Sequence, residues 1–213
     1  MRHKSKKEII FYIFLSTFSL TAFLIFTYIV RTDSLRSLDF DLTVRLQDEI
    51  PIVFDDFFSV LSIIGRFEFT FTLLLLLLAL NRKIIGALAT IFFFGSAHII
   101  EIIGKTTLNQ PGPPNMFLRT HFTDFPGLYV HTQASYPSGH SLRIIFLFFL
   151  VVYLVLTSKK LPNLGKIGAI FLSLIFTVLM LLSRVSLGEH WTTDVIGGSL
   201  LGAAAAAASF LFL

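Results

Sequence analysis

His190 and Asp194 stand four residues apart in the stretch SRVSLGEHWTTD, residues 183–194. On a helical turn they share a face, so the carboxylate can accept a hydrogen bond from one imidazole nitrogen while the other points away. Such a pair is an oriented nucleophile or base, or a structural hydrogen bond at a helix end. Arg184, six residues before His190, offers a fork of donors suited to a phosphate. A second stretch, YPSGHSLR at 136–143, sets Ser138 and Gly139 just before an apolar run. A hydroxyl and free backbone amides at a helix start make an anion cradle, and His140 in the first turn could donate a proton to a leaving oxygen. A third, GKTTLNQPGPPN at 104–115, begins beside Lys105, with Glu101 one turn before it and His98 three residues further back. All three share a helix face. An ion pair with a snorkelling lysine accounts for the trio, but ionisable groups at membrane depth are costly unless they face a cavity.

The elements that must position these islands are apolar. The chain has 213 residues, of which 54% are hydrophobic and 14% charged, far from the balance of a soluble domain of this length. A membrane span needs roughly 20 apolar residues. Runs of that order lie at 9–30, 57–80, 84–103, 141–157, 167–187 and 195–213. The expected fold is therefore an all-α, polytopic membrane bundle of about six transmembrane helices forming one domain, with Arg66 and Glu68 interrupting the second run. The basic start MRHKSKKEII mimics a signal peptide, but the run behind it is too long for a cleaved one and reads as a retained first span. Between 31 and 56, Leu35, Leu38, Leu42 and Leu46 recur near helical spacing until Pro51, which predicts a short interfacial helix. GGSLLGAAAAAA at 197–208 is a small-residue face for close helix packing. The absence of cysteine excludes disulfides, Cys-ligated zinc and thiol catalysis. The net charge of +4 requires no nucleic acid.

With the amino terminus cytoplasmic, the inner segments hold Arg2, Lys4, Lys6, Lys7, Arg82, Lys83, Lys159, Lys160 and Lys166, against Glu8 alone. The first outer loop carries three arginines and seven acids. This matches the positive-inside rule and puts all three islands at the outer face of a plasma (inner) membrane.

The second and third islands closely resemble the type 2 phosphatidic acid phosphatase superfamily, the integral-membrane lipid phosphate phosphatases that share a core with the vanadium haloperoxidases. Pro137, Ser138, Gly139 and His140 reproduce one family motif in full. Ser183, Arg184, His190 and Asp194 reproduce another with its spacing intact. The resemblance covers roughly 60–213 and leaves 1–59 to the first span and the interfacial helix. The remaining family motif, Lys, six residues, Arg-Pro, keeps Lys105 and Pro113 but has Gly112 where the arginine belongs. Arg119, Arg143 and Arg66 are the candidate substitutes, with Arg119 favoured because its loop is long enough to fold over a pocket.

The resemblance implies that His190 attacks phosphorus to give a phosphohistidine, that Asp194 orients its ring, and that His140 protonates the leaving oxygen. It assigns the phosphate oxygens to Lys105, Arg184, Ser138 and the amide of Gly139, and requires no metal or other cofactor. The partners expected are a membrane lipid phosphate, with undecaprenyl pyrophosphate, phosphatidylglycerol phosphate and phosphatidic acid as candidates, and the bilayer itself. A lipid phosphotransferase, or a phospholipid binder or transporter without hydrolysis, are the alternatives. His121, Asp124, Tyr129 and His131 read as loop residues, and Tyr136 and Trp191 as interfacial anchors.

Overall fold

A computed structural model describes residues 4–79, 84–108, 110–119 and 134–213. His121, Asp124, Tyr129 and His131 lie outside these residues. Eight α-helices account for the described chain: α1 (Lys6–Arg31), α2 (Arg36–Glu49), α3 (Asp55–Ile64), α4 (Phe67–Ala79), α5 (Ile84–Leu108), α6 (Gly139–Thr157), α7 (Asn163–Ser186) and α8 (Thr192–Ser209). Their starts follow from local chemistry. Ser5 and Glu8 form a reciprocal capping box at α1, and Ser138 caps α6 through its hydroxyl, so both helices begin where polar side chains satisfy otherwise orphaned amides.

The chain is a multi-pass membrane protein. α1, α5, α6 and α7 are each long and apolar enough to cross a bilayer. Large apolar side chains dominate their outward surfaces, with Phe14, Phe18, Leu164 and Leu172 all more than half exposed, an arrangement suited to lipid. The second expected span is broken rather than continuous. α3, with its preceding turn, meets α4 at a 60° bend, and by length and composition the pair is either a broken fifth span or a re-entrant segment. The break falls at Gly65 and Arg66, where a Cβ on Gly65 would lie 2.6 Å from the His140 ring. The sixth expected run lies in α8, which is built of Ala, Gly and Ser more than of large apolar residues. It is the inner helix of the bundle, packed on α6, α1 and α5, and burial rather than hydropathy places it there.

Small residues permit that burial. Cβ atoms on Gly198 and Gly202 would overlap the carbonyl oxygens of Ser138 and Leu142 on α6, so these glycines set the close approach of the two backbones that carry the second and third islands. The pairing yields a prediction. Gly202→Ala forces two main chains apart and should lower the melting temperature in detergent by several degrees, from an overpacking cost of about 1–3 kcal/mol. Gly95→Ala on α5, where nothing lies within 4 Å, should leave it unchanged or raise it, because alanine is the better helix former.

Candidate active site

Gly188 ends α7 with φ of +69°, a backbone state that glycine adopts without strain. The resulting turn folds the chain back, so that the amides of Glu189 and His190 both donate to the Arg184 carbonyl at 3.1 Å. His190 is thereby held between the end of α7 and the start of α8. Asp194 occupies the first turn of α8, and its Oδ2 accepts the Trp191 amide at 2.9 Å, which fixes the carboxylate. That same Oδ2 lies 3.4 Å from His190 Nδ1. Between them sits the hydroxyl of Ser135, 3.1 Å from His190 Nδ1 and hydrogen-bonded to Asp194 Oδ2. Nδ1 is therefore engaged on one side of the ring, and Nε2 faces the other way.

The second island is bolted to the third. The Ser138 amide donates to the Asp194 carbonyl at 3.0 Å, and the Ser138 hydroxyl accepts from the Ser141 amide. His140 Nε2 lies 3.0 Å from the Ser62 carbonyl at the end of α3. A carbonyl can only accept, so Nε2 carries the proton and Nδ1 is the free position. The charges of Arg184, Arg143 and His190 all reach His140, so the two histidines and two guanidinium groups share one centre.

Arg184 has no exposed surface. Its Nη1 donates to Ser62 Oγ at 2.8 Å and pairs with the Glu189 carboxylate, while Nε and Nη2 reach Ser183 Oγ at 3.2 and 2.8 Å. A buried guanidinium demands such partners. In the first island, Glu101 bridges Lys105 Nζ and His98 Nδ1, each at 2.7 Å. The face shared by these three residues is real, and it abuts the second island: a Cβ on Gly139 would collide with the Glu101 carboxylate. Lys105 thus reaches the cluster through Glu101.

The three candidate substitutes for the missing arginine separate cleanly. The Arg119 guanidinium donates to the carbonyls of Gln47 and Ile50 at 2.7 and 3.2 Å, and so clasps the end of α2 instead of facing the cluster. A helix end with unpaired carbonyls attracts a cation in this way. Arg66 pairs loosely with Glu68 at 3.6 Å on the surface. Arg143 is buried, donates through Nε to the Gly65 carbonyl at 3.0 Å, and feels the charges of Glu101 and Arg184. The bend between α3 and α4 frees the carbonyls that hold both His140 and Arg143.

Tyr136 and Trp191 are not interfacial anchors. Tyr136 is buried, stacks on Phe23, and bonds Thr27 Oγ1 at 2.8 Å. Burial pushes its phenol up to about 12, the Thr27 bond works against that rise, and the nearby Asp194 adds to it. Trp191 is also buried, with its indole N–H on the Pro111 carbonyl. Ser135, Ser62 and Glu189 are the residues that motif reading passes over. Ser135 could have been noticed as a hydroxyl flanking Pro-Ser-Gly-His, whereas Ser62 lies in an apolar run and leaves no signal. Among the described residues no group of three or more His, Cys, Asp or Glu comes together as a metal site.

The profile of the PAP2 superfamily matches residues 83–213, the segment from α5 to α8 that carries all three islands. The chain belongs to the PAP2 superfamily. Among similar proteins, phosphatidylglycerophosphatase B of Bacillus subtilis is 30% identical over 123 residues, 57% of this chain and 55% of that one. An undecaprenyl-diphosphatase of Sulfolobus acidocaldarius is 34% identical over 131 residues, 62% of this chain and 56% of its own. These matches span about half the length of each relative. The PAP2 fold extends further than the sequence match. The crystal structure of a transmembrane PAP2-type phosphatidylglycerolphosphate phosphatase from Bacillus subtilis superposes with a TM-score of 0.70 at 24% identity, over 90% of this chain and 92% of that one. LpxE of Aquifex aeolicus gives 0.61 at 22% identity, over 81% and 94%.

Gly188→Ala tests the turn that carries His190. The left-handed backbone costs about 1–2 kcal/mol for a residue with a Cβ, and the added atom would strike the Phe117 carbonyl. A melting temperature lower by several degrees in detergent is expected; an unchanged one would contradict the observed turn.

Proposed function

We propose that this PAP2 protein is a metal-independent lipid phosphate or pyrophosphate phosphatase that works through a phosphohistidine at His190. The observation that carries the reading is the one-sided engagement of the two imidazoles. His190 has Nδ1 committed to Ser135 and Asp194, and His140 has Nε2 committed to a backbone carbonyl, within one electrostatic cluster.

In the first step His190 Nε2 attacks phosphorus while its Nδ1–H, held by the carboxylate, compensates the charge developing on the ring. The bond from phosphorus to the leaving oxygen breaks, and His140, protonated on both nitrogens when the phosphate anion is bound beside it, gives its Nδ1 proton to that oxygen while Nε2–H stays on the Ser62 carbonyl. In the second step His140, now neutral, takes a proton from water as the water oxygen attacks the phosphohistidine. The P–N bond breaks, and inorganic phosphate and the free imidazole are restored. Charge on the three equatorial oxygens is met by the second Nη2 hydrogen of Arg184, Lys105 Nζ, the Ser138 hydroxyl, the Gly139 amide and Arg143, which replaces the arginine absent at Gly112. Arg119 has the separate role of clasping α2.

The lipid tails remain in the bilayer while the headgroup enters between the helix ends. The basic residues at the opposite ends of the helices favour an outer-face site in a plasma membrane with the amino terminus inside. Phosphatidylglycerol phosphate and undecaprenyl pyrophosphate, the substrates in the names of the two relatives, are the first to test, with phosphatidic acid beside them.

Phosphate release by the purified protein in detergent checks the scheme. His190→Ala should reduce kcat by about 10³-fold or more, with no dependence on added metal or chelator. Arg143→Ala should cost about 10²-fold, and Arg66→Ala, which removes only a surface pair, should stay near the parent. Release by His190→Ala at the parent rate would end the mechanism. Equal effects at Arg66 and Arg143 would remove Arg143 from it.

A further inference from the structure

Helix α2 lies outside the residues matched by the PAP2 profile and carries none of the three motifs. Its leucines predict a short interfacial helix, and the structure turns a polar stripe of that helix inward. Asp39 and Thr43 are 3% and 0% exposed, whereas Leu38 is 49% exposed. Asp39, Thr43 and Gln47 recur every four residues and so form one stripe. Asp39 Oδ1 accepts the Thr193 amide at 2.9 Å and its Oδ2 accepts the Thr193 hydroxyl at 2.6 Å. Gln47 Nε2 donates to the Ser186 carbonyl at 2.9 Å and to the Phe117 carbonyl at 2.7 Å. Thr193 directly precedes Asp194, and Ser186 is the last residue of α7. One helix therefore grips both flanks of the turn that presents His190. Arg119 locks α2 in place from the far end through Gln47 and Ile50.

We propose that Asp39 is a positioning residue for the His190–Asp194 pair, and that α2 acts as a splint joining the ends of α7 and α8. This rests on the reading of His190 as nucleophile. The amide of Thr193 is one of the donors left without a partner in the first turn of a helix, and Asp39 holds it from outside the helix. That fixes the roll of the first turn of α8, hence the Asp194 carboxylate and the imidazole bound to it. Displacement of a reacting group by about 1 Å can cost 10²-fold in rate.

A purely structural cap would be better made without charge. Burial pushes the Asp39 carboxyl above its ordinary range, the two Thr193 bonds pull it back only in part, and the neighbouring Asp194 adds to the rise. A carboxyl raised in the folded state loses stability as pH climbs from the ordinary carboxylate range through its raised value, so ionisation of Asp39 opposes folding. Retention of a destabilising charge beside a reaction centre is the pattern expected where function and stability compete.

The test compares the parent, His190→Ala, Asp39→Asn and Asp39→Ala, full length in detergent, for Tm, KM and kcat with one lipid phosphate. Asn keeps an acceptor for the Thr193 amide and removes the charge. Asp39→Asn should show a Tm at neutral pH equal to or above the parent, an unchanged KM, and a kcat lower by about tenfold. Asp39→Ala should lose more; if it fails to fold, the Asn variant decides alone. A parental kcat in Asp39→Asn, or a loss of activity that follows a lowered Tm, overturns the proposal. An inactive parent, or an active His190→Ala, overturns instead the phosphohistidine reading on which it rests.

Discussion

A guanidinium with no solvent-exposed surface, at the end of a membrane helix, is the constraint around which this molecule is arranged. Removing such an ion from water costs several kcal/mol even after relaxation, and Arg184 recovers that cost only by gathering Glu189, Ser62 and Ser183. Each partner comes from a definite place. Ser183 is its own neighbour, Glu189 arrives through the Gly188 turn, and Ser62 arrives from α3. The need to neutralise one charge therefore ties α3 to the α7–α8 junction.

Ser62 also links the two halves of the proposed chemistry, because its hydroxyl serves Arg184 while its carbonyl orients His140. That carbonyl is near the bend at Gly65, where helical hydrogen bonding ends. A continuous second span would have consumed the Ser62 and Gly65 carbonyls in its own ladder. The bend thus turns backbone groups into ligands for His140 and Arg143, and a local defect in one helix becomes the device that sets a histidine tautomer in another. On the opposite side, the glycines of α8 bring α6 close enough for the Ser138 amide to reach the Asp194 carbonyl.

The sequence reveals short-range relations well. Hydrophobic run length predicts the helices, and fixed spacing predicts the faces shared by His190 with Asp194 and by His98, Glu101 and Lys105. Relations between distant segments are less legible. Nothing in SIIGR at 62–66 shows that the Ser62 and Gly65 carbonyls will be claimed by His140 and Arg143. The leucines of α2 satisfy helical periodicity while the inward stripe is buried Asp39 and Thr43 with half-buried Gln47, because the surface they meet is not a hydrocarbon core but the polar ends of α7 and α8. The length of its loop favours Arg119 as a phosphate ligand, but the unpaired carbonyls at the end of α2 hold it instead. Tyr136 and Trp191 have the composition of interfacial residues, yet a glycine at 197 and a carbonyl at Pro111 give them buried sites.

The central claim is that His190 reacts through the nitrogen left open when Ser135 and Asp194 hold the other. Rapid acid-free quenching of the protein with a lipid substrate labelled at phosphorus, followed by phosphorus NMR and peptide mapping, reads the attachment point directly. The account predicts a base-stable, acid-labile phosphoryl group on Nε2 of His190, absent from His190→Ala and longer-lived in His140→Ala. Attachment at Nδ1, attachment to a different residue, or turnover with no phosphoryl enzyme at any quench time would contradict it.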